Sequence, residues 1–217
     1  MKKNGLRRFF QYNTMEHAWE KFSREKITKI FTEKKTIIDI GGGLRVDNDR
    51  GNRYDKKNEW IKPYLSTVDY KIMDKVSDYN PDIVGDIHAL PFAENTIDAI
   101  FCISVLEHVE EPRQAVQEMR RALKPGGYCF VYVPFLYYYH AEKGYYKDFY
   151  RFTRDGVEYL MRDFSVVEIE NVRGAIATAA SLFPFFSKHT NWAELLDRLF
   201  KKEKSRQTSG YIAFGVK

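Results

Sequence analysis

The sequence predicts an α/β fold, a mostly parallel sheet with helices on both faces. Three observations carry that expectation. Thr36-Ile37-Ile38-Asp39-Ile40-Gly41-Gly42-Gly43 joins a short β-branched run to a glycine turn, the pattern of a central parallel strand. Strand-like apolar runs then alternate with helical stretches as far as Pro134. Asp39, Asp69 and Asp86 each close a strand-like run, at the carboxyl ends where open parallel sheets bind ligands.

The chain has 217 residues, enough for a sizeable core, and its composition is that of a soluble globular protein. A net charge of +5 permits a polyanionic partner without requiring one. Cys102 and Cys129 sit in apolar runs and are expected to be reduced, buried thiols, in a cytoplasmic setting. No cysteine–histidine spacing suggests zinc. The N-terminus lacks the apolar core of a signal peptide, and no apolar run reaches membrane-spanning length.

Residues 1–35 read as a basic arm and a helix. Lys2, Lys3, Arg7 and Arg8 lie among Phe9, Phe10 and Tyr12; Ala18, Trp19, Phe22, Ile27, Ile30 and Phe31 then follow helical spacing, with Thr14 as cap. Residues 36–217 read as the main domain. After the first strand the spacing predicts a short helix near residues 58–64, broken at Pro63. A second strand is expected over 65–69, a third over 81–86 and a fourth over 96–103. A helix over 111–123 follows, stopped by Lys124-Pro125-Gly126-Gly127, then a fifth strand over 128–133. Thr153 caps a helix over 154–162, and strands are expected over 164–169 and 211–216. The apolar segment 174–186 reads as a core helix, a homodimer face or a surface for peripheral membrane contact at the inner membrane, within a helical insertion 174–202. Trp192, Leu195, Leu196, Leu199 and Phe200 form a stripe expected to pack.

The glycine turn is followed by a polar loop rather than a helix, which disfavours pyrophosphate binding. A cofactor without phosphates, needing close backbone approach and a carboxylate, fits better. Asp69, at the end of the expected second strand, suits the two hydroxyls of a ribose, and Asp86 with Ile87 suits an adenine amino group.

These residues match a family in order and spacing. The run Ile37–Gly43, then Asp69, Gly85-Asp86-Ile87-His88-Ala89-Leu90-Pro91-Phe92, Asp98–Val109 and Leu123-Lys124-Pro125-Gly126-Gly127 resembles the class I S-adenosylmethionine (SAM)-dependent methyltransferases. The resemblance covers about residues 36–134. It implies a Rossmann-like, seven-stranded sheet with a reversed last strand, and SAM as cofactor. It also implies roles: Asp39, Gly41 and Gly43 at the methionine part, Asp69 at the ribose, Asp86 and Ile87 at the adenine, and Ile103 on the pocket wall. Arg45 stands where many members carry another glycine. Some relatives bind a metal through this region, but Ser104 replaces the first acidic position, so no metal is expected.

The aromatic segment 135–153 reads as a lid over the methyl end of the cofactor. Its tyrosines suit sugar rings, and its Asp148–Thr153 stretch resembles methyltransferases of polysaccharide and glycolipid assembly. The expected reaction is O-methylation of a sugar or glycan hydroxyl, with His140 as base and Asp148 orienting it or contacting substrate. The alternatives are a small-molecule N- or O-methyltransferase, or a non-catalytic cofactor-binding module of a glycan-assembly complex. A nucleic-acid acceptor is disfavoured, because Ser104-Val105-Leu106-Glu107 stands in place of the Asn/Asp-Pro-Pro-aromatic segment used on base amino groups.

Overall fold

The computed structural model describes residues 17–46, 54–183 and 190–217; the basic arm, Thr14 and part of the polar loop lie outside the described residues. Helix α1 spans Ala18–Glu33, and the Glu20 carboxylate accepts from the His17 N–H at its start. Strand β1 is Thr36–Ile40. A 3₁₀ turn, Lys56–Ile61, runs directly into helix α2, Lys62–Leu65, so Pro63 does not break it; Pro63 sits in the first turn, where a missing N–H is harmless.

Strands β2 (Asp69–Asp74), β3 (Ile83–Val84) and β4 (Ile97–Ile103) follow. Helix α3, Pro112–Ala122, leads into β5, Leu123–Pro134, with Lys124–Gly127 looping out between the pairs Ile97/Leu123 and Ala99/Tyr128. Helix α4 is Arg154–Met161, capped by the Thr153 hydroxyl, which accepts from the Gly156 N–H. Strand β6 is Val166–Val172, helix α5 Ala175–Ser181, helix α6 Asn191–Leu199 and strand β7 Gly210–Val216.

The seven strands form one sheet in the order β3-β2-β1-β4-β5-β7-β6. Strands β1 to β5 are parallel; β7 runs antiparallel to both β5 and β6. The expected reversed last strand is therefore present. Strand alternation divides the core. Ile38, Ile40, Ile100, Cys102, Cys129 and Val131 pack with Val116 and Met119 of α3 and Leu160 and Met161 of α4. Ile37, Phe101, Phe130 and Phe214 pack with Ile27, Ile30 and Phe31 of α1 on the other face.

Two further expectations need correction. The second strand lies over Asp69–Asp74, not 65–69, because Leu65 closes α2 and Ser66-Thr67 turn the chain. Helix α6 turns its polar residues inward and leaves Trp192, Leu199 and Phe200 exposed. Its buried face is held by charge: Asp197 accepts from the Ile176 and Ala177 N–H groups that open α5, and Glu194 pairs with His17 at 2.5 Å. Among the described residues, no helix is long and apolar enough to cross a membrane.

Candidate functional site

A cleft of about 1150 Å³ opens at the carboxyl edge of the parallel strands. Gly41, Gly43, Asp86, Ile87, Ile103 and His140, all singled out by sequence, line it together. Its floor is the glycine turn. Gly41 has φ +79°, and a β-carbon there would meet Val105 Cγ2 at 2.5 Å. One on Gly43 would lie 2.4 Å from Ile103 Cβ. The turn therefore lies flush against the end of β4, so any side chain there would fill the floor of the cleft.

Asp39 does not line the cleft. It is fully buried beneath the turn, where its carboxylate accepts from the Gly43 N–H and Leu44 N–H, both at 3.0 Å, and from the Tyr70 hydroxyl at 2.7 Å. Its role is to fix the turn from below.

Asp69 is the wrong aspartate for the cleft. It opens β2 instead of closing it, pairs in register with Thr36 at the start of β1, and its exposed carboxylate lies 3.5 Å from Lys71 Nζ. Asp74 takes the place assigned to it: it closes β2 one residue beyond Met73, the register partner of Ile40, and lines the cleft. The two aspartates are five strand residues, roughly 16 Å, apart. A signal was present in Tyr70-Lys71-Ile72-Met73-Asp74, whose two apolar residues before an acid mark a strand end.

Asp86 accepts from Lys75 Nζ at 2.8 Å, from the His88 N–H at 2.9 Å and from His88 Nδ1 at 2.6 Å. Burial opposes its ionisation, but the Lys75 and His88 hydrogen bonds prevail and bring its pKa down to about 2. Ile87 beside it is buried on the cleft wall.

The opposite end is built by the 135–153 segment and the 3₁₀ turn Leu106–His108 that follows β4. The Glu107 carbonyl accepts from the Phe149 N–H at 2.7 Å and the Tyr150 N–H at 3.2 Å, and the Tyr150 hydroxyl donates to the Glu110 carbonyl. Asp148 points inward, away from the cleft lining. It accepts from the His140 N–H at 2.8 Å and is held by the Arg151 guanidinium at 2.5 and 2.7 Å. That guanidinium, against some burial, lowers its pKa to about 2. Asp148 thus fixes the loop carrying His140.

His140 faces Glu107, with Nε2 3.5 Å from Oε1, and His108 Nε2 lies 3.8 Å from the same oxygen. The Glu107 carboxylate raises the pKa of His140 against the effect of burial. Glu107 and His108 both line the cleft, and both Glu107 oxygens are buried without a hydrogen-bond partner among the described residues. Sequence spacing could not join them to His140, which arrives from a different segment of the chain.

Comparison with known proteins bears on this cleft. The methyltransferase domain family matches residues 65–131. A demethylmenaquinone methyltransferase of Renibacterium salmoninarum is 51% identical over 45 residues, 21% of this chain and 19% of that protein. An uncharacterised protein of Methanocaldococcus jannaschii is 32% identical over 109 residues, 49% of this chain and 45% of that one. The chain thus spans less than half the length of these curated relatives. Among solved structures, a SAM-dependent methyltransferase of Archaeoglobus fulgidus superposes with a TM-score of 0.57 at 11% identity, covering 89% of this chain and 90% of that one. One from Mesorhizobium loti gives 0.53 at 12%, covering 89% and 96%. At these identities the likeness is one of fold. The sheet order, the reversed β7, the matched segment and the glycine-floored cleft together support SAM as cofactor and a methyltransferase as the enzyme class, and the chain carries the class I SAM-dependent methyltransferase fold.

Proposed function

We propose that the chain transfers a methyl group from SAM to a hydroxyl, and that the hydroxyl belongs to a sugar ring. The observation that carries the reading is one cleft with two dissimilar ends. The strand-end side offers a flush glycine floor, an aspartate closing β2 and the Asp86–Ile87 corner, which suit the methionine, ribose and adenine parts of the cofactor. The lid side offers Tyr137, Tyr139, Tyr145 and Tyr146 around His140, and aromatic faces suit sugar rings. When bound, the cofactor supplies an electrophilic methyl on a sulfonium centre.

The chain's part is placement and proton uptake. Gly41 and Gly43 set the depth of the floor, and Asp74 and Asp86 fix the position of the cofactor along the strand ends. The lid brings the acceptor into line, where proximity contributes much of the rate. His140 Nε2, beside Glu107, takes the hydroxyl proton as the carbon–oxygen bond forms and the carbon–sulfur bond breaks.

The test is methyl-labelled SAM added with purified protein to an extract of its source, followed by fractionation. Label in glycan or glycolipid that is lost with Asp74→Ala is the expected result. Label confined to small molecules would overturn the sugar acceptor, and no transfer to any fraction despite cofactor binding would overturn the activity.

A further inference from the structure

We propose that Glu107, His108 and His140 form a binding site for one divalent transition-metal ion of the zinc, cobalt or iron(II) kind. The proposal rests on the acceptor end of the cleft described above. One ligand atom from each residue lies within 4.8 Å of the others. Metal–ligand bonds of about 2.1 Å place tetrahedral donors roughly 3.4 Å apart. The Glu107 Oε1 separations of 3.5 Å to His140 Nε2 and 3.8 Å to His108 Nε2 are close to that spacing.

The orientation of the imidazoles is the stronger point. His108 Nδ1 lies 2.7 Å from the Lys147 carbonyl, which can only accept, so Nδ1 carries the proton and Nε2 presents its lone pair. His140 Nδ1 lies 3.1 Å from the Tyr138 carbonyl and 3.3 Å from Asp148 Oδ2, so Nδ1 carries a proton here too and in the neutral ring Nε2 presents its lone pair. Arg151 Nη2 is farther from Nδ1, at 3.4 Å, and already donates to Tyr138 O and Asp148. A carbonyl or carboxylate behind each ring is the usual outer support of a metal-bound histidine.

Two lone pairs thus converge on a buried carboxylate whose oxygens have no hydrogen-bond donor among the described residues. With both rings neutral, three acceptors face one point and need a positive charge there, which a bound ion supplies in place of a proton on an imidazole. Two histidines and one carboxylate, with the cleft open on the remaining side, leave coordination positions for an acceptor oxygen. The expectation of no metal counted donors in one segment and stopped at Ser104. The third donor comes from the lid, as His140. With an ion present His140 is a ligand, and the ion polarises the acceptor hydroxyl in its place.

The experiment uses the full chain, freed of metal by chelation, with neither cofactor nor acceptor. Zn²⁺ is titrated calorimetrically, and Co²⁺ is followed by its visible absorption. The expected result is one equivalent bound at micromolar or tighter affinity. His108→Ala and His140→Ala should each weaken binding at least tenfold, while His17→Ala, at a histidine–carboxylate pair outside the cleft, should leave it unchanged. Glu107→Gln should abolish the Co²⁺ band; if that buried change unfolds the protein, the two histidine variants decide. No saturable uptake, or uptake equally tight in both histidine variants, would overturn the site. Because no methyl transfer is measured, failure here leaves His140 as a base and the methyltransferase reading untouched.

Discussion

Asp74→Ala and Asp69→Ala make a paired test of which carboxylate serves the cleft. Asp74 ends β2 on the cleft wall and uses Oδ1 to accept from the Val76 N–H at 2.9 Å. A hydrogen bond to a charged partner contributes roughly 1.5–3 kcal/mol. If Asp74 grips the ribose, its removal should weaken cofactor binding by about 10- to 100-fold. Asp69 stands about 16 Å away at the other end of the strand, and its exposed contact with Lys71 is worth little. Its loss should change affinity less than twofold. The assay is calorimetric titration with S-adenosylhomocysteine, which binds without turnover. Thermal unfolding of both variants controls for the lost Val76 bond. Weakening by Asp69→Ala with normal binding in Asp74→Ala would refute the placement of β2 and the ribose assignment together.

Gly43→Ala forces a methyl to within 2.4 Å of Ile103 and should cost about 1–3 kcal/mol, lowering Tm by roughly 2–12 °C in calorimetry. Gly126→Ala, at a positive φ of +74° that Gly43 does not share but with no described atom within 4 Å, should cost only about 1 kcal/mol. Arg151→Ala strands the buried Asp148 carboxylate and should cost roughly 3 kcal/mol, read by unfolding, with faster proteolysis in 135–153. Asp86 has a folded pKa of about 2 against an ordinary 3.8, so its contribution is complete above the ordinary value and lost as pH falls towards 2; the stability gap between wild type and Asp86→Asn should close across that window in acid unfolding. His17 has the opposite sign. Its hydrogen bond to Glu194 outweighs burial and raises its pKa, so its contribution is complete below 6.5 and fades as pH rises through the raised value; His17→Ala should converge with wild type in alkaline unfolding.

The sheet was legible because its central strands are dense in β-branched and aromatic residues, and β1 and β5 end at a glycine and a proline. Strand β2 was less so. Its run Asp69-Tyr70-Lys71-Ile72-Met73-Asp74 holds only two aliphatic residues, Ile72 and Met73, and the preceding Leu65 and Val68 offered a competing apolar pair. The cost was one misplaced aspartate. Asp39 shows a different limit. A carboxylate beside a glycine turn can face a ligand or the turn itself, and only the Gly43, Leu44 and Tyr70 bonds decide. In α6, leucine spacing suggested a packed face, but two buried carboxylates with partners far away in sequence oriented the helix instead.

The same distinction separates the two ends of the cleft. The cofactor end is encoded locally, by glycines and strand-end acids whose neighbours in space are neighbours in register. The acceptor end is encoded by contact between distant segments, and Glu107 joins them twice. Its carbonyl binds the Phe149 and Tyr150 N–H groups and holds the lid down, while its carboxylate faces His140 from the same lid. The Asp148–Arg151 pair locks the other side of the loop. A lid tied at both points does not need to swing for chemistry to occur; the acceptor can enter along its rim. There Tyr139 is 74% exposed, and Lys143 and Tyr145 line the opening. Under the proposed reaction, acceptor choice would fall to these rim residues, and the cluster beneath would act on the acceptor they admit.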